Sequence, residues 1–201
     1  MNKIEINDIN ELIRKQYPKA LIEKLLNDVL VLSLKVKEDY PDYKEWYQTK
    51  QIPGIYDNTR NIIIAHIGNR LVGFISLKKT ETEKKICTFY VEKTFQKNKI
   101  GTILVEKAVT YLEEEKPLIT IPMNKMKEFK RISNRYDWKI TDIKENLYRT
   151  GTPEVIVNGE LKDTASYQEL EKTYQKIYHI YKFKTLSNLI KVFLNKYGLE
   201  K

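Results

Sequence analysis

The chain has 201 residues, 41% of them hydrophobic and 31% charged, which suits one ordinary domain with an appendage and supplies enough apolar material for a core. Seven glycines and six prolines exclude collagen-like or long linker material. The single cysteine, Cys87, excludes an internal disulfide or a zinc site built on cysteines. No run approaches the roughly 18 apolar residues of a membrane span, and the first residues lack the apolar stretch of a secretion signal. These features lead to the expectation of a soluble, cytoplasmic protein with no membrane partner. The net charge is +9, and the surplus lies beyond Arg60. Such a balance favours acidic partners. However, 30 of the 36 basic residues are lysine, whereas dedicated nucleic-acid surfaces use more arginine for its planar fork. An AT-rich genome accounts for most of the lysine.

In chain order, Ile9, Leu12 and Ile13, then Leu21, Ile22, Leu25, Leu26, Val29 and Leu30, recur at helical spacing. Tyr17-Pro18 interrupts them. A second helix is expected from Pro41, and Ile52-Pro53-Gly54 reads as a break. Residues 61–67, 71–77 and 85–91 are β-branched or aromatic runs separated by turn signals, which predicts an antiparallel meander. The period changes after Lys99: Ile100, Ile103, Leu104, Ala108, Val109 and Leu112 predict a helix that stops before Pro117. Residues 117–123 read as a buried strand, 125–136 as a basic amphipathic helix, and 139–148 and 155–161 as two last strands. Beyond residue 162 the pattern is again helical. A capping box opens at Ser166, and two stripes rich in tyrosine and leucine follow. They read as an extra packing layer or lid, a homodimer surface, or a lysine- and tyrosine-lined RNA surface.

The chemistry concentrates at residues 85–112. A strand ends at Val91, a polar loop carries Lys93, Lys97 and Lys99, and a helix opens near Gly101 and Thr102. A helix N-terminus exposes unpaired amides and the positive end of the dipole, so it attracts phosphate. Spacing alone leaves two readings open, a phosphate site and a solvated loop.

The same stretch resembles motif A of the GNAT acetyltransferases. In that motif a Val is followed, after four residues, by Arg or Gln, then after two more by Gly-x-Gly/Ala. Val91 and Gln96 match in register, and so does Gly101, with Phe95 as the usual aromatic. Lys99 stands where the family has Gly. The order of elements over residues 1–161 is similar as well. The resemblance implies an α/β fold, an α+β mixed sheet that is mostly antiparallel and splayed at its central strands, with residues 162–201 as a helical C-terminal extension. It also implies acetyl-CoA as co-substrate and transfer of its acetyl group to a primary amine. The pantetheine arm would pair with the backbone of Phe89, Tyr90 and Val91 across from residues 118–121. The pyrophosphate would rest on amides of Gln96, Lys97, Asn98, Lys99, Ile100, Gly101 and Thr102. If the family's glycine needs positive φ, Lys99 carries a strain of about 1–2 kcal/mol.

Transfer to an amine needs a base, an oxyanion donor and an acid for the thiolate. Glu83 is the candidate base, because by simple alternation it shares a strand face with Cys87, Phe89 and Val91. Relatives often carry Glu six positions before the Val, where this chain has Lys85. Glu154 and Glu45 are more distant alternatives. For the acid, relatives often place Tyr five residues before an aromatic that follows a Gly. Aligning Trp138 with that aromatic puts Ser133 at the Tyr and Asp137 at the Gly, with Tyr136 the nearby tyrosine. Cys87 reads as a core residue. His66 and His179 lack metal-ligand spacing, so no metal is expected. The acceptor stays open between a small molecule, a protein amine and the amino acid on a charged tRNA docked by Lys125, Lys127, Lys130, Arg131 and Arg135. A non-catalytic acyl-CoA binder is the alternative from another class.

Overall fold

A computed structural model describes residues 3–37 and 39–161. The chain divides into two units, Met1–Glu160 and Leu161–Lys201. The helices expected at 162–201 lie outside the described residues.

The first unit begins with β1 (Ile4–Asp8), α1 (Ile9–Arg14) and α2 (Lys19–Ser33). Asp8 caps α1 by accepting from the Glu11 amide at 2.9 Å. Next come α3 (Tyr43–Trp46), a π turn (Tyr47–Gln51) and α4 (Ile52–Tyr56), and then the strands β2 (Arg60–Ile67), β3 (Arg70–Lys79) and β4 (Lys84–Val91). The unit continues with α5 (Ile100–Leu112), β5 (Leu118–Pro122), α6 (Met126–Arg135), β6 (Ile140–Lys144) and β7 (Glu154–Val157). Seven strands form one sheet in the order β1-β2-β3-β4-β5-β7-β6. Every neighbouring pair is antiparallel except β4 and β5, which are parallel. The sheet is therefore mixed and mostly antiparallel, as expected. Among the described residues no helix is long and apolar enough to cross a membrane.

Helices cover both faces. On one, Ile9, Ile22, Leu26, Val29, Tyr47 and Ile55 pack on Ile62, Ile64 and Phe74. On the other, Ile100, Leu104, Val105 and Ala108 of α5 pack on Ile63, Ile75, Leu77, Ile86 and Ile121, with Phe129 and Ile132 of α6 beside them. β2 is buried on both sides along Asn61–His66, which is why its sequence is a continuous β-branched run rather than an alternation. Each such isoleucine, fully buried, contributes roughly 1.5–3 kcal/mol.

Four expectations need correction. The N-terminal Ile-Glu-Ile alternation forms a strand, β1, that helical periodicity from Ile9 onward obscured. Ile52-Pro53-Gly54 is the start of α4, not a break. Pro53 sits in its first turn, where a missing N–H costs little, and Gly54 makes room for Arg60, whose Cδ would lie 2.5 Å from an added Cβ. The face parity of Glu83 also differs. Thr88 pairs with Ser76 and Ile86 with Leu77, so Cys87 is an extra residue in β4. This β-bulge shifts the phase by one. Ile86 therefore shares its face with Phe89 and Val91, and Glu83, three residues before Ile86, falls in the opposite phase. Cys87 is half-buried with its Sγ 3.4 Å from Arg60 Nη1, rather than a core residue.

Candidate active site

β4 and β5 are in register only at Lys85–Leu118 and Ile86–Ile119. β4 runs on to Val91 and β5 to Pro122 without further pairing, so the two strands part beyond the bulge. Extended backbone on facing strands then lacks a partner strand, and an elongated ligand with amide groups can supply one.

The turn that follows β4 is built to present amides. Gln96 donates from Nε2 to the Val91 carbonyl at 3.1 Å and ties the loop to the strand end. Arg70 pairs with Glu92 at 2.7 Å and lies over the Phe95 ring at 5.1 Å. Lys97 and Lys99 have φ of 67° and 63°, with Asn98 between them outside the positive range. Such alternation of backbone sign points successive N–H groups into one concavity, which suits an anion. Lys99 is the N-cap of α5, and the first intrahelical bond runs from Ile103 N–H to Lys99 C=O at 3.0 Å. The amides of residues 97–102 have no acceptor among the described residues. The side chains of Lys93, Lys97 and Lys99 have no ion pair among them either. Gly101 has a different job from a flexible hinge: an added Cβ would lie 3.1 Å from Phe89 Cζ. Its missing side chain lets the Phe89 ring, itself edge-on to Phe129 at 5.6 Å, sit under the helix start. The turn thus brings Gln96 through Thr102 together with Phe89 and Val91.

Among the described residues no side-chain hydrogen bond or ion pair joins the three sequence candidates for acid–base work, Glu83, Tyr136 and Ser133. Glu83 is ion-paired with Lys78 at the β3–β4 turn, beyond the end of β4 where β5 is still in register. Tyr136 follows α6 at the same end of the sheet, its ring 5.7 Å from Trp138, while Trp138 Nε1 donates to the Glu115 carbonyl at 3.1 Å. Burial, and then the charge of Glu106, raise the Tyr136 pKa against the opposing effect of Arg135, whose guanidinium lies over the ring at 5.8 Å. Ser133 lines a cavity of about 320 Å³ with Met126, Lys130, Trp138 and Val157. Asp137 adopts φ 51°, the conformation a glycine would adopt most easily.

A second group of polar side chains lies on the face opposite α5 and was not assembled by sequence reasoning. Val155 and Val157 of β7 point into the α5 cluster, so Glu154 points to the other face. It lies opposite Pro122 of β5, at the end where β4 and β5 have parted. Glu154 is 1% exposed, and its Oε2 has no hydrogen-bond partner among the described residues. Burial, and then the nearby charge of Asp39, push its pKa up to about 8, against the opposing effects of Lys85 and a Tyr40 hydrogen bond. The Tyr40 ring meets Tyr148 edge-on at 5.4 Å, and Lys85 Nζ donates to the Tyr148 hydroxyl at 3.4 Å. Burial disfavours the Lys85 ammonium, but Tyr148, Cys87 and Glu83 outweigh it and raise its pKa. Asp39 pairs with Lys125 at 3.8 Å. Glu154 had surfaced only as a distant alternative. A lone acid opening the apolar run Glu-Val-Ile-Val was the available signal. Among the described residues no group of three His, Cys, Asp or Glu could hold a metal.

Central strands that part beside a turn of unpartnered amides fit the class of CoA-dependent acyltransferases. The acetyltransferase (GNAT) family model matches residues 7–122, more than half the chain, and the chain belongs to that family. It is an acetyltransferase whose acetyl donor is acetyl-CoA. Among solved structures, one assigned as a GNAT-family acetyltransferase from Desulfovibrio desulfuricans is similar with a TM-score of 0.54 at 13% identity, over 77% of this chain and 97% of that one. A GNAT acetyltransferase from Elizabethkingia anophelis with acetyl-CoA bound is similar at 0.44 and 19% identity, over 57% and 84%. No curated protein matches.

Proposed function

We propose that this chain moves the acetyl group of acetyl-CoA onto a primary amine carried by a small molecule or a protein. In this reading the pantetheine arm lies between β4 and β5 and pairs with the backbone near Phe89, Tyr90 and Val91. The pyrophosphate lies on the amides of residues 96–102. The carrying observation is the turn itself: paired positive-φ residues and a run of unpartnered amides open α5 directly beside strands that part. A diphosphate supplies the acceptors that the amides of residues 97–102 lack, and Lys97 and Lys99 add charge without directing geometry. Because the grip is made by backbone, replacing Lys97 and Lys99 by Met is expected to weaken acetyl-CoA binding by about tenfold or less at low salt, not to abolish it. Calorimetric titration with acetyl-CoA checks this, and an absence of heat in the unaltered protein would remove the reading. Release of free CoA thiol on adding amines then tests transfer.

One observation supports a tRNA-borne amine as a second reading. Lys127, Lys130 and Arg131 share one exposed face of α6 with no ion pair among the described residues, whereas Lys125 and Arg135 are engaged by Asp39 and Glu106. Phosphate-led docking there requires an affinity that falls steeply with salt. A filter-binding titration with charged tRNA that shows no salt dependence would exclude it.

A further inference from the structure

The group around Glu154 extends from the parted end of β5 to the end where β4 still pairs with it. Glu154 comes from β7, Tyr40 from the segment before α3, Tyr148 from the β6–β7 loop and Lys85 from β4. The Glu154 carboxylate interacts with Tyr40, Tyr40 packs on Tyr148, and Tyr148 accepts from Lys85. These contacts run from Glu154, opposite Pro122 at the parted end of β5, back to Lys85, which still pairs with Leu118. A carboxylate with one unpartnered oxygen costs stability when buried, so its retention calls for a use. Lys85 and Tyr40 favour its ionised form, but burial and Asp39 outweigh them. Lys125 lies against Asp39, Lys144, opposite in register on β6, lies against Asp142 at 2.7 Å, and Lys85 reaches Tyr148. Asp39 adds repulsion from the segment before α3.

We propose that the Glu154 carboxylate is the proton sink for the acceptor amine, reached through the hydroxyl of Tyr40. This inference rests on the acetyl-transfer reading. Tyr40 is the catalytic residue of the pair, and Glu154, too buried to touch the amine, is the positioning residue behind it. A neutral amine attacks the acetyl carbonyl carbon and a C–N bond forms. One N–H proton passes to the Tyr40 oxygen as Tyr40 gives its own proton to Glu154. The C–S bond breaks, the thiolate leaves and takes a proton from water, and Glu154 later returns its proton to solvent. A carboxylate that ionises in the neutral to mildly alkaline range holds that proton well enough to help attack and loses it readily between turnovers.

The test uses the full chain, acetyl-CoA, and propylamine and spermidine as probe amines, with CoA thiol release followed from pH 6 to 9.5. The unaltered protein is expected to show kcat/KM rising with pH through about 8, as Glu154 becomes the carboxylate. Glu154→Gln is expected to lower kcat/KM by roughly 100-fold or more and to erase that limb, while acetyl-CoA affinity by calorimetry stays within about twofold. Glu154→Asp is expected to keep the limb and recover part of the rate. Tyr40→Phe removes the relay and is expected to lower kcat/KM by roughly 100-fold as well, with acetyl-CoA affinity within about twofold, and Asp39→Asn should move the limb to lower pH. The loss at Tyr40 and the displacement at Asp39 decide the matter if Glu154→Gln does not fold. A Glu154→Gln protein with the limb and rate intact, or an undiminished rate in Tyr40→Phe with no displacement in Asp39→Asn, would overturn the role of Glu154 and leave acetyl transfer standing. An unaltered protein that binds acetyl-CoA but releases no thiol with either amine would overturn the transfer reading, and this inference with it.

Discussion

The amide turn at residues 96–102 and the tyrosine–carboxylate group at Glu154 flank the same parted strands but are made in opposite ways. The turn is contiguous in sequence and works through backbone, so its side chains are replaceable wherever φ and packing allow. The group at Glu154 draws on residues 39, 40, 85, 148 and 154, so it works through side chains that only the fold brings together. The first can be damaged only by changing the path of the chain. The second can be disabled without touching the path at all.

The most damaging test of that contrast adds bulk to the turn. Gly101→Val pushes against Phe89 and is expected to cost roughly 3 kcal/mol by overpacking, with acetyl-CoA binding lost in parallel. Thermal denaturation and calorimetry read both, and a folded variant that still bound acetyl-CoA normally would break the contrast. Next in size is Glu154→Gln, read here as stability instead of rate. Glu154 ionises near 8 in the fold and in the ordinary carboxylate range when unfolded, so the folded state holds the proton more tightly between those values. Stability from this group is full at acidic pH and is lost as pH rises through about 8. With solvent screening discounted, the variant should remove a loss on the order of 2 kcal/mol between pH 5 and 9, seen as a flatter dependence of Tm on pH.

Lys99→Gly sharpens the comparison from the other side. It relieves a left-handed lysine and is expected to stabilise the chain by about 1 kcal/mol, while acetyl-CoA affinity falls by less than tenfold because the amides remain. The smallest effect is expected from Gln96→Ala. Losing the bond to Val91 should cost about 0.5–1 kcal/mol, measurable by urea denaturation.

This contrast also explains what could be read from the sequence. β2 through β5 and α5 were legible because each carries one dominant period, and the loop before Gly101 was legible because strand, lysines and helix start are consecutive. β1 was too short to stand out beside a helical pattern that begins at Ile9. α4 was hidden because Pro53-Gly54 signals a turn unless a wide π turn precedes it and Arg60 lies against the glycine. The group at Glu154 could not be read because its members are up to 115 positions apart and none carries a local signature. Even Lys85, conspicuous as a departure from a family glutamate, gave no hint that the nearest buried carboxylate lies on another strand.

The extra residue at Cys87 acts as a phase marker for the central strand. Deleting it would rotate everything from Thr88 onward by half a period. Phe89 would swing away from Gly101, while Thr88 and Tyr90 would turn inward beneath α5. The two halves of the molecule would then fall out of step without a single contact residue having been replaced, so this one position should tolerate exchange of its side chain far better than its loss.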